Sequence, residues 1–355
     1  MNSISPVDVV PLEGARAAEA PLLAVRDLEV HFPFSRGPFW NRTHGVVRAV
    51  DGVNFEIAAG ETLGLVGESG CGKSTTARAI LNLIQPTGGQ VFLEGQRIDG
   101  LGEGAMRPWR RVAQMVFQDP FASLNPRMTV GRIVSEPMQI LGLHSPRDRK
   151  FETLRLLEMV GLNPRFLNRY PHEFSGGQRQ RIGIARALAA QPRLLLCDEP
   201  VSALDVSIQA QVVNLLMDLQ QKLGLSMLLI AHDLAVVRHI ADRIGVMYLG
   251  KLVEVAPAES LYTDPRHPYT RALLSSALIP DPKQQRTRQR IALTGEVPSP
   301  DKEYTGCRFA DRCPIRDSRC MAESPSLAAY PTEVTGDGSL HQVACFYAED
   351  DNRWK

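Results

Sequence analysis

The sequence predicts an α/β fold: a mixed-sheet core around a phosphate loop, with an antiparallel β lobe, a helical insertion and a small cysteine-rich C-terminal extension. Three observations predict it. Gly67-Glu68-Ser69-Gly70-Cys71-Gly72-Lys73-Ser74 fits G-x-x-x-x-G-K-[ST], with a short apolar run before it and a helical pattern after it. Leu194 to Cys197 is an apolar run that delivers Asp198 and Glu199 at its end, where open α/β sheets bind ligands. Four of the six cysteines, Cys307, Cys313, Cys320 and Cys345, fall after the α/β pattern has ended.

The elements follow in chain order. Residues 1–20 hold small residues and little that could form a core, and they are expected to be a mobile tail. Asp8, Glu13 and Glu19 do not fit a secretion leader. The stretch from Leu22 to Leu93 is expected to be the antiparallel lobe. Within it, Thr62 to Val66 reads as a buried strand, and Lys73 to Leu83 places Ala77, Ile80, Leu81 and Ile84 at roughly helical spacing. Val112 to Phe117 reads as a strand, and from about Thr129 to Ala190 the chain is expected to be helical. In that insertion, Ser175 is placed like an N-cap for a helix from Gln178 to Ala190. After Gln191-Pro192 the pattern returns to strand, helix, strand. The helix Ser207 to Leu223 sets Ile208, Val212, Leu215, Leu216, Leu219 and Leu223 on one face. The division expected is 1–20 tail, 21–256 nucleotide-binding domain with its helical part at about 120–190, 257–300 linker, and 301–355 cysteine-rich segment.

The chemistry follows from residue types. Glycines let backbone N–H groups turn toward an anion, and the helix start adds partial positive charge. Lys73 should meet the outer phosphates of a nucleotide and Ser74 its Mg²⁺. Asp198 can hold that Mg²⁺ through water, and Glu199 can polarise an attacking water. Cys71 reads as a small filler residue inside the loop. Ser175-Gly176-Gly177-Gln178 is a second anion-binding turn at a helix start. Two such turns with one lysine and one carboxylate pair suggest that they serve different nucleotides in a head-to-tail pair of subunits.

Over roughly Pro21 to Ala256 the chain resembles the nucleotide-binding subunits of ABC transporters, in which the phosphate loop of one subunit and the signature turn of its partner sandwich one ATP. The resemblance implies that Gly67 to Thr75 hold ATP. Gln118 is then the Q-loop glutamine that joins Ser74 and Asp198 near Mg²⁺. Ser202-Ala203-Leu204-Asp205 matches the D-loop, His232 the switch histidine near the γ-phosphate, and Phe32 the aromatic residue that stacks on adenine. Phe174 opens the signature where many relatives have leucine. Phe117-Gln118-Asp119-Pro120, Ser123-Leu124-Asn125-Pro126, Pro200-Val201-Ser202 and Pro265-Arg266-His267-Pro268-Tyr269 resemble the ATPases of dipeptide and oligopeptide importers. His31-Phe32-Pro33, with its following insertion (Pro33 to Val47), is similar to the second of the two ATPases in those systems.

That resemblance implies partners: a homologous second ATPase, two transmembrane permease subunits at the cytoplasmic face of the inner membrane, and an extracytoplasmic substrate-binding protein. The segment Asp119 to Pro126 is where a permease would feel the helical part move. Relatives also serve nickel and other small solutes, and a soluble ATPase acting on ribosomes or DNA is the reading of a different class. Lys+Arg 40 against Asp+Glu 39 gives a net charge of +1 and no basic field for nucleic acid. No apolar run approaches the roughly 20 residues that a spanning helix needs.

The four late cysteines have the spacing C-x5-C-x6-C-x24-C. A disulfide framework is not expected in a reducing cytosol. Thiolates gathered in a proline-rich, core-poor segment suggest a metal centre that staples it. Structural zinc sites usually contain C-x2-C pairs, absent here, and similar cysteine groups in peptide-importer ATPases bind a four-iron four-sulfur cluster. Cluster, zinc and unliganded core cysteines all stay open, with His341 as a substitute ligand.

Overall fold

The computed structural model describes residues 20–36, 43–202, 204–276, 291, 295, 298, 302, 304–330, 341–350 and 353. The expected N-terminal tail, Ala203 of the D-loop and most of the linker beyond residue 276 lie outside the described residues. In chain order the first part runs β1 (Leu23–Arg36), β2 (Thr43–Ile57), β3 (Thr62–Val66), α1 (Lys73–Ile80), β4 (Gly88–Leu93), β5 (Gln96–Arg97), α2 (Glu103–Met106), α3 (Trp109–Val112) and β6 (Ala113–Val116). The helical part follows with α4 (Val130–Ile140), α5 (Pro146–Met159) and α6 (Gly176–Leu188). The chain continues through β7 (Leu194–Asp198), α7 (Val206–Leu223), β8 (Ser226–Ile230), α8 (Leu234–Ile240), β9 (Arg243–Tyr248) and β10 (Lys251–Pro257). Last come α9 (Ala258–Thr263), α10 (Pro268–Ser276), α11 (Ser318–Ala322), β11 (Ala328–Ala329) and β12 (Gln342–Val343).

Two sheets organise these elements. The smaller is antiparallel in the order β2-β1-β4-β5, and the larger runs β11-β12-β10-β9-β3-β8-β7-β6. Within the larger sheet, β9, β3, β8, β7 and β6 run parallel to one another, and β10 joins β9 antiparallel. The stretch from about Leu22 to Leu93, expected as the antiparallel lobe, is not all one sheet: β3 joins the large sheet, beside β8 and β9. Its all-buried side chains explain this, because a continuous apolar run suits a parallel strand covered on both faces. The same logic holds for β7, where Leu195 and Cys197 enter one hydrophobic cluster with the helical part and Leu194 and Leu196 enter the other with the antiparallel lobe.

Helix ends depart from the periodic reading. α1 stops at Ile80 rather than Leu83, because Asn82 turns left-handed (φ 55°) and its amide donates to Leu101 O at 2.7 Å. On α7 the buried residues are Val212, Val213, Leu216 and Leu219, whereas Leu223 in the last turn is exposed. Helical period cannot see where the layer beneath a helix ends. The C-terminal chain also returns to the core: β12 pairs with β10 and β11 with β12, so the edge of the large sheet is covered.

Candidate functional site

The phosphate loop leaves the middle of the large sheet, between β3 and α1. Its glycines are fixed by crowding as well as by backbone angle. Gly67 (φ +152°) passes so close to β9 that a Cβ would lie 2.2 Å from Met247 O, and at Gly72 (φ +108°) it would lie 2.1 Å from Ala49 O. Lys73 is buried, and its ammonium folds back to donate to Gly67 O at 2.8 Å and Glu68 O at 3.0 Å, beside Cys71 Sγ at 3.7 Å. These carbonyls hold the cation at the loop until a stronger anionic partner arrives.

Parallel pairing brings the acidic pair to the same end of the sheet. Asp198 ends β7 opposite Ile230 of β8 and is fully buried. Ser74 Oγ donates to Asp198 Oδ1 at 2.6 Å, while Oδ2 is buried without a hydrogen bond and Arg78 stands 3.7 Å from it. Burial pushes the Asp198 carboxyl up, against the opposing bond from Ser74 and the Arg78 charge. A buried carboxylate oxygen that accepts no hydrogen bond, beside a hydroxyl, is a donor set that suits a hard cation.

Glu199 takes a left-handed backbone (φ 43°), and its N–H donates to Ile230 O at 3.0 Å. Its carboxylate collects the two side chains expected near the γ-phosphate: Gln118 Nε2 donates to Oε2 at 2.8 Å, and His232 Nδ1 lies 3.7 Å from the same oxygen. Phe32 is 40% exposed on β1 opposite Val47, free to offer a ring face.

The second anion turn is built differently. Ser175 caps α6 by a reciprocal pair, accepting from Gln178 N while Gln178 Oε1 accepts from Ser175 N. Gly176 and Gly177 lie against the start of α7, where a Cβ on Gly177 would come within 2.4 Å of Ile208. Asp205, exposed, is the N-cap residue of α7. Among the described residues no hydrogen bond joins Ser175 to Gln178 with the phosphate loop. Two arginines of α6 reach the segment after Gln118: Arg186 donates to Ser123 O at 2.5 Å, and Arg179 stacks over exposed Phe121 at 4.0 Å.

All six cysteines are free. The four late ones line one apolar pocket with His267, Phe309, Ile315 and Phe346. Burial pushes their thiols up, Cys313 to about 11 and Cys345 to about 12. Among the described residues no group of three or more His, Cys, Asp or Glu is placed to hold a metal ion. His341, which could stand in for a cysteine although four already suffice, is engaged elsewhere: its Nε2 lies 2.7 Å from Glu254 Oε1 on β10. A buried carboxylate attracts an imidazole more strongly than neutral thiols do.

Residues missed by the sequence reading surround the loop. The Tyr269 hydroxyl accepts the Glu68 N–H at 2.8 Å, and Arg312 forms a two-pronged ion pair with the Glu68 carboxylate. Both lie far along the chain, and only the Pro265 to Tyr269 resemblance pointed near either.

Comparison with known proteins agrees with this geometry. The ABC transporter family model matches residues 50–202, and the model for the oligopeptide/dipeptide transporter C-terminal region matches residues 253–320. The chain is similar to the oligopeptide transport ATP-binding protein AppF of Bacillus subtilis, 53% identical over 93% of this chain and 98% of that one. It is also similar to the oligopeptide transport ATP-binding protein OppF of Escherichia coli, 51% identical over 91% and 95% respectively. Among solved structures, a dimeric ATP-binding cassette in a post-hydrolysis state with ADP and Pi superposes with a TM-score of 0.59. It is 30% identical and covers 66% of this chain and 98% of that chain.

Proposed function

The chain belongs to the ATP-binding subunits of ABC-type oligopeptide transporters, and from that premise we propose how its site works. It is an ATP-hydrolysing subunit of an ABC peptide importer, with hydrolysis coupled to peptide transport. Its relatives favour the peptide branch over nickel and set aside a soluble ATPase of ribosomes or DNA.

In our reading, ATP lies along the backbone N–H groups from Gly67 to Thr75, with adenine on Phe32, and Lys73 exchanges the Gly67 and Glu68 carbonyls for the outer phosphates. Ser74, Asp198 and Gln118 would hold Mg²⁺, which neutralises phosphate charge when bound. Glu199 accepts the proton of the attacking water, whose oxygen bonds to the γ-phosphorus as the bridge to the β-phosphate breaks, leaving ADP and phosphate. Gln118 and His232 hold the Glu199 carboxylate in place for that transfer. The observation that carries this reading is their convergence on one Glu199 oxygen. Glu199→Gln should keep ATP binding and lower turnover by about 10² to 10⁴, the usual loss for a positioned base. Wild-type turnover by that variant in the assembled transporter would refute the assignment.

Ser175, Gly176, Gly177, Gln178 and Asp205 are assigned to the ATP held by a partner subunit. Support comes from a capped anion turn that, among the described residues, makes no hydrogen bond to the chain's own loop. The partner is a homologous ATPase, and two permease subunits dock over the Asp119 to Pro126 segment, which Arg179 and Arg186 couple to the signature helix. A substrate-binding protein outside the inner membrane completes the complex, and this chain sits peripherally on the cytoplasmic face. No helix among the described residues is long and apolar enough to cross a membrane. The 21–256 nucleotide-binding domain, its helical part, the 257–300 linker and the 301–355 extension remain the division proposed.

For the extension we propose a four-iron four-sulfur cluster held by Cys307, Cys313, Cys320 and Cys345. The donor chemistry and the shared apolar pocket support it: four thiols, Cys320 buried and the other three partly so, line one pocket, and ligation would favour the thiolate forms that desolvation disfavours. The group would supply a structural staple. Zinc is the lesser reading, because structural zinc sites usually contain close C-x2-C pairs, which this spacing lacks.

A further inference from the structure

The six-residue step from Cys307 to Cys313 begins and ends at the cysteine pocket, yet its side chains reach the phosphate loop. Arg312, 8% exposed, donates from Nη1 to Glu68 Oε2 at 2.8 Å and from Nη2 to Oε1 at 3.1 Å, with the Tyr248 hydroxyl 3.5 Å from Nη1. Phe309, 1% exposed, packs edge-on to Tyr248 at 5.2 Å and against Tyr269 at 5.5 Å. Tyr269 in turn accepts the Glu68 N–H. Arg308 anchors the same step to Leu249 O and to Asp51 on β2. Glu68 is thus gripped at its backbone and at its carboxylate by residues that follow the core strands.

Glu68 poses an electrostatic problem that the sequence alone leaves unsolved. A carboxylate inside a loop that receives a polyanion repels it, unless a fixed cation neutralises it. Arg312 supplies that cation in a bidentate geometry which lysine cannot reproduce. We propose that Arg312 is a positioning residue for ATP: it neutralises Glu68 and fixes the loop, so that the C-terminal extension sets nucleotide affinity whatever fills the cysteine pocket. The proposal rests on the ATPase reading above and assigns to the extension a part in that same site.

The test is a charge-suppression series on the full chain, with nucleotide affinity read by a fluorescent ATP analogue and ATP KM and kcat read in the assembled transporter. Arg312→Gln, which keeps part of the stem and a donor without the charge, should weaken ATP binding and raise KM about 5- to 20-fold with kcat within about twofold, from one uncompensated charge near the phosphates. Glu68→Gln placed in that background should recover most of the affinity, because the charge to be neutralised has gone. A purely structural role for Arg312 would not be rescued by altering Glu68. An Arg312→Gln chain with unchanged affinity, or a double variant no better than the single one, overturns the proposal. Should Arg312→Gln fail to fold, Arg312→Lys serves in its place, with a smaller weakening that Glu68→Gln must abolish. Wild-type chain that binds no ATP in the same assay overturns the ATPase reading together with this one.

Discussion

The phosphate loop and the cysteine pocket both bury reactive groups, but they are specified in different ways. The loop is contiguous: eight residues from Gly67 to Ser74 carry the turn, the cation and the hydroxyl, and crowding by Met247 O and Ala49 O fixes two of the glycines. The pocket gathers Cys307 and Cys313 from loop positions, Cys320 from α11 and Cys345 from just beyond β12, and it leans on His267 and Phe309 to close. The difference teaches that a contiguous site announces itself as a motif even though distant backbone fixes its glycines, while a dispersed site depends on docking contacts that no motif announces. Arg312 is where the two meet.

The sharpest break of the comparison is Gly67→Ala. Its Cβ would lie 2.2 Å from a backbone oxygen that cannot swing aside, at φ +152°, so β9 or the loop must move. The strain amounts to roughly 1–3 kcal/mol or more, and it is released by misplacing the N–H groups that bind phosphate. ATP affinity should fall more than about tenfold while the melting temperature changes little, because the loop yields before the sheet does. Unaltered nucleotide binding by this variant would mean that the loop is less tightly specified than its contacts imply.

The same contrast explains what the sequence made legible. Asp198, Glu199 and His232 come together at one end of the sheet because β7 and β8 are continuous apolar runs, legible as such, and parallel pairing aligns their ends. The Ser175 cap was visible from its own three-residue spacing to Gln178. Arg312, Tyr269 and the Glu254–His341 pair were not visible, since each couples residues many positions apart through side-chain reach rather than through pattern. His341 shows the cost of reading composition alone: it stands near the cysteines in sequence, yet a buried glutamate on β10 claims it.

Acid should separate the two regions by a few kcal/mol. His267 is buried at the pocket wall, and burial lowers its pKa from 6.5 to about 4, while its Nδ1 accepts the Tyr269 N–H at 3.1 Å. A histidine held neutral binds fewer protons folded than unfolded between those values. Its contribution is therefore present above the unfolded pKa of 6.5 and is lost as pH falls through the folded value near 4. The full span corresponds to about 3 kcal/mol. Denaturant midpoints measured from pH 7 to pH 4 should fall more steeply for the wild-type chain than for His267→Gln. Parallel pH profiles for the two would remove His267 as a cause of acid sensitivity.

The smallest expected effect is also the most informative about how the regions communicate. Cys313→Ser exchanges a half-buried thiol for a hydroxyl in an apolar pocket, a loss of about 1–3 kcal/mol where no partner satisfies the new group. With a cluster held by the four cysteines, protein prepared without oxygen should be brown with absorption near ~400 nm, and the variant should bleach. Hydrogen exchange should quicken in peptides spanning 305–330 and 341–347 but not in β3 or α1, which belong to the well-packed centre. The phosphate-loop chemistry should persist, with kcat near wild type, while ATP KM rises by about two- to threefold. That rise is less than for Arg312→Gln, because the arginine still carries its charge and is only held less firmly. Equal iron-free spectra for wild type and variant would remove the cluster. Loss of kcat in step with exchange at β3 would mean that the extension is part of the catalytic core itself, so that the contrast between a locally built loop and a docked pocket would no longer hold.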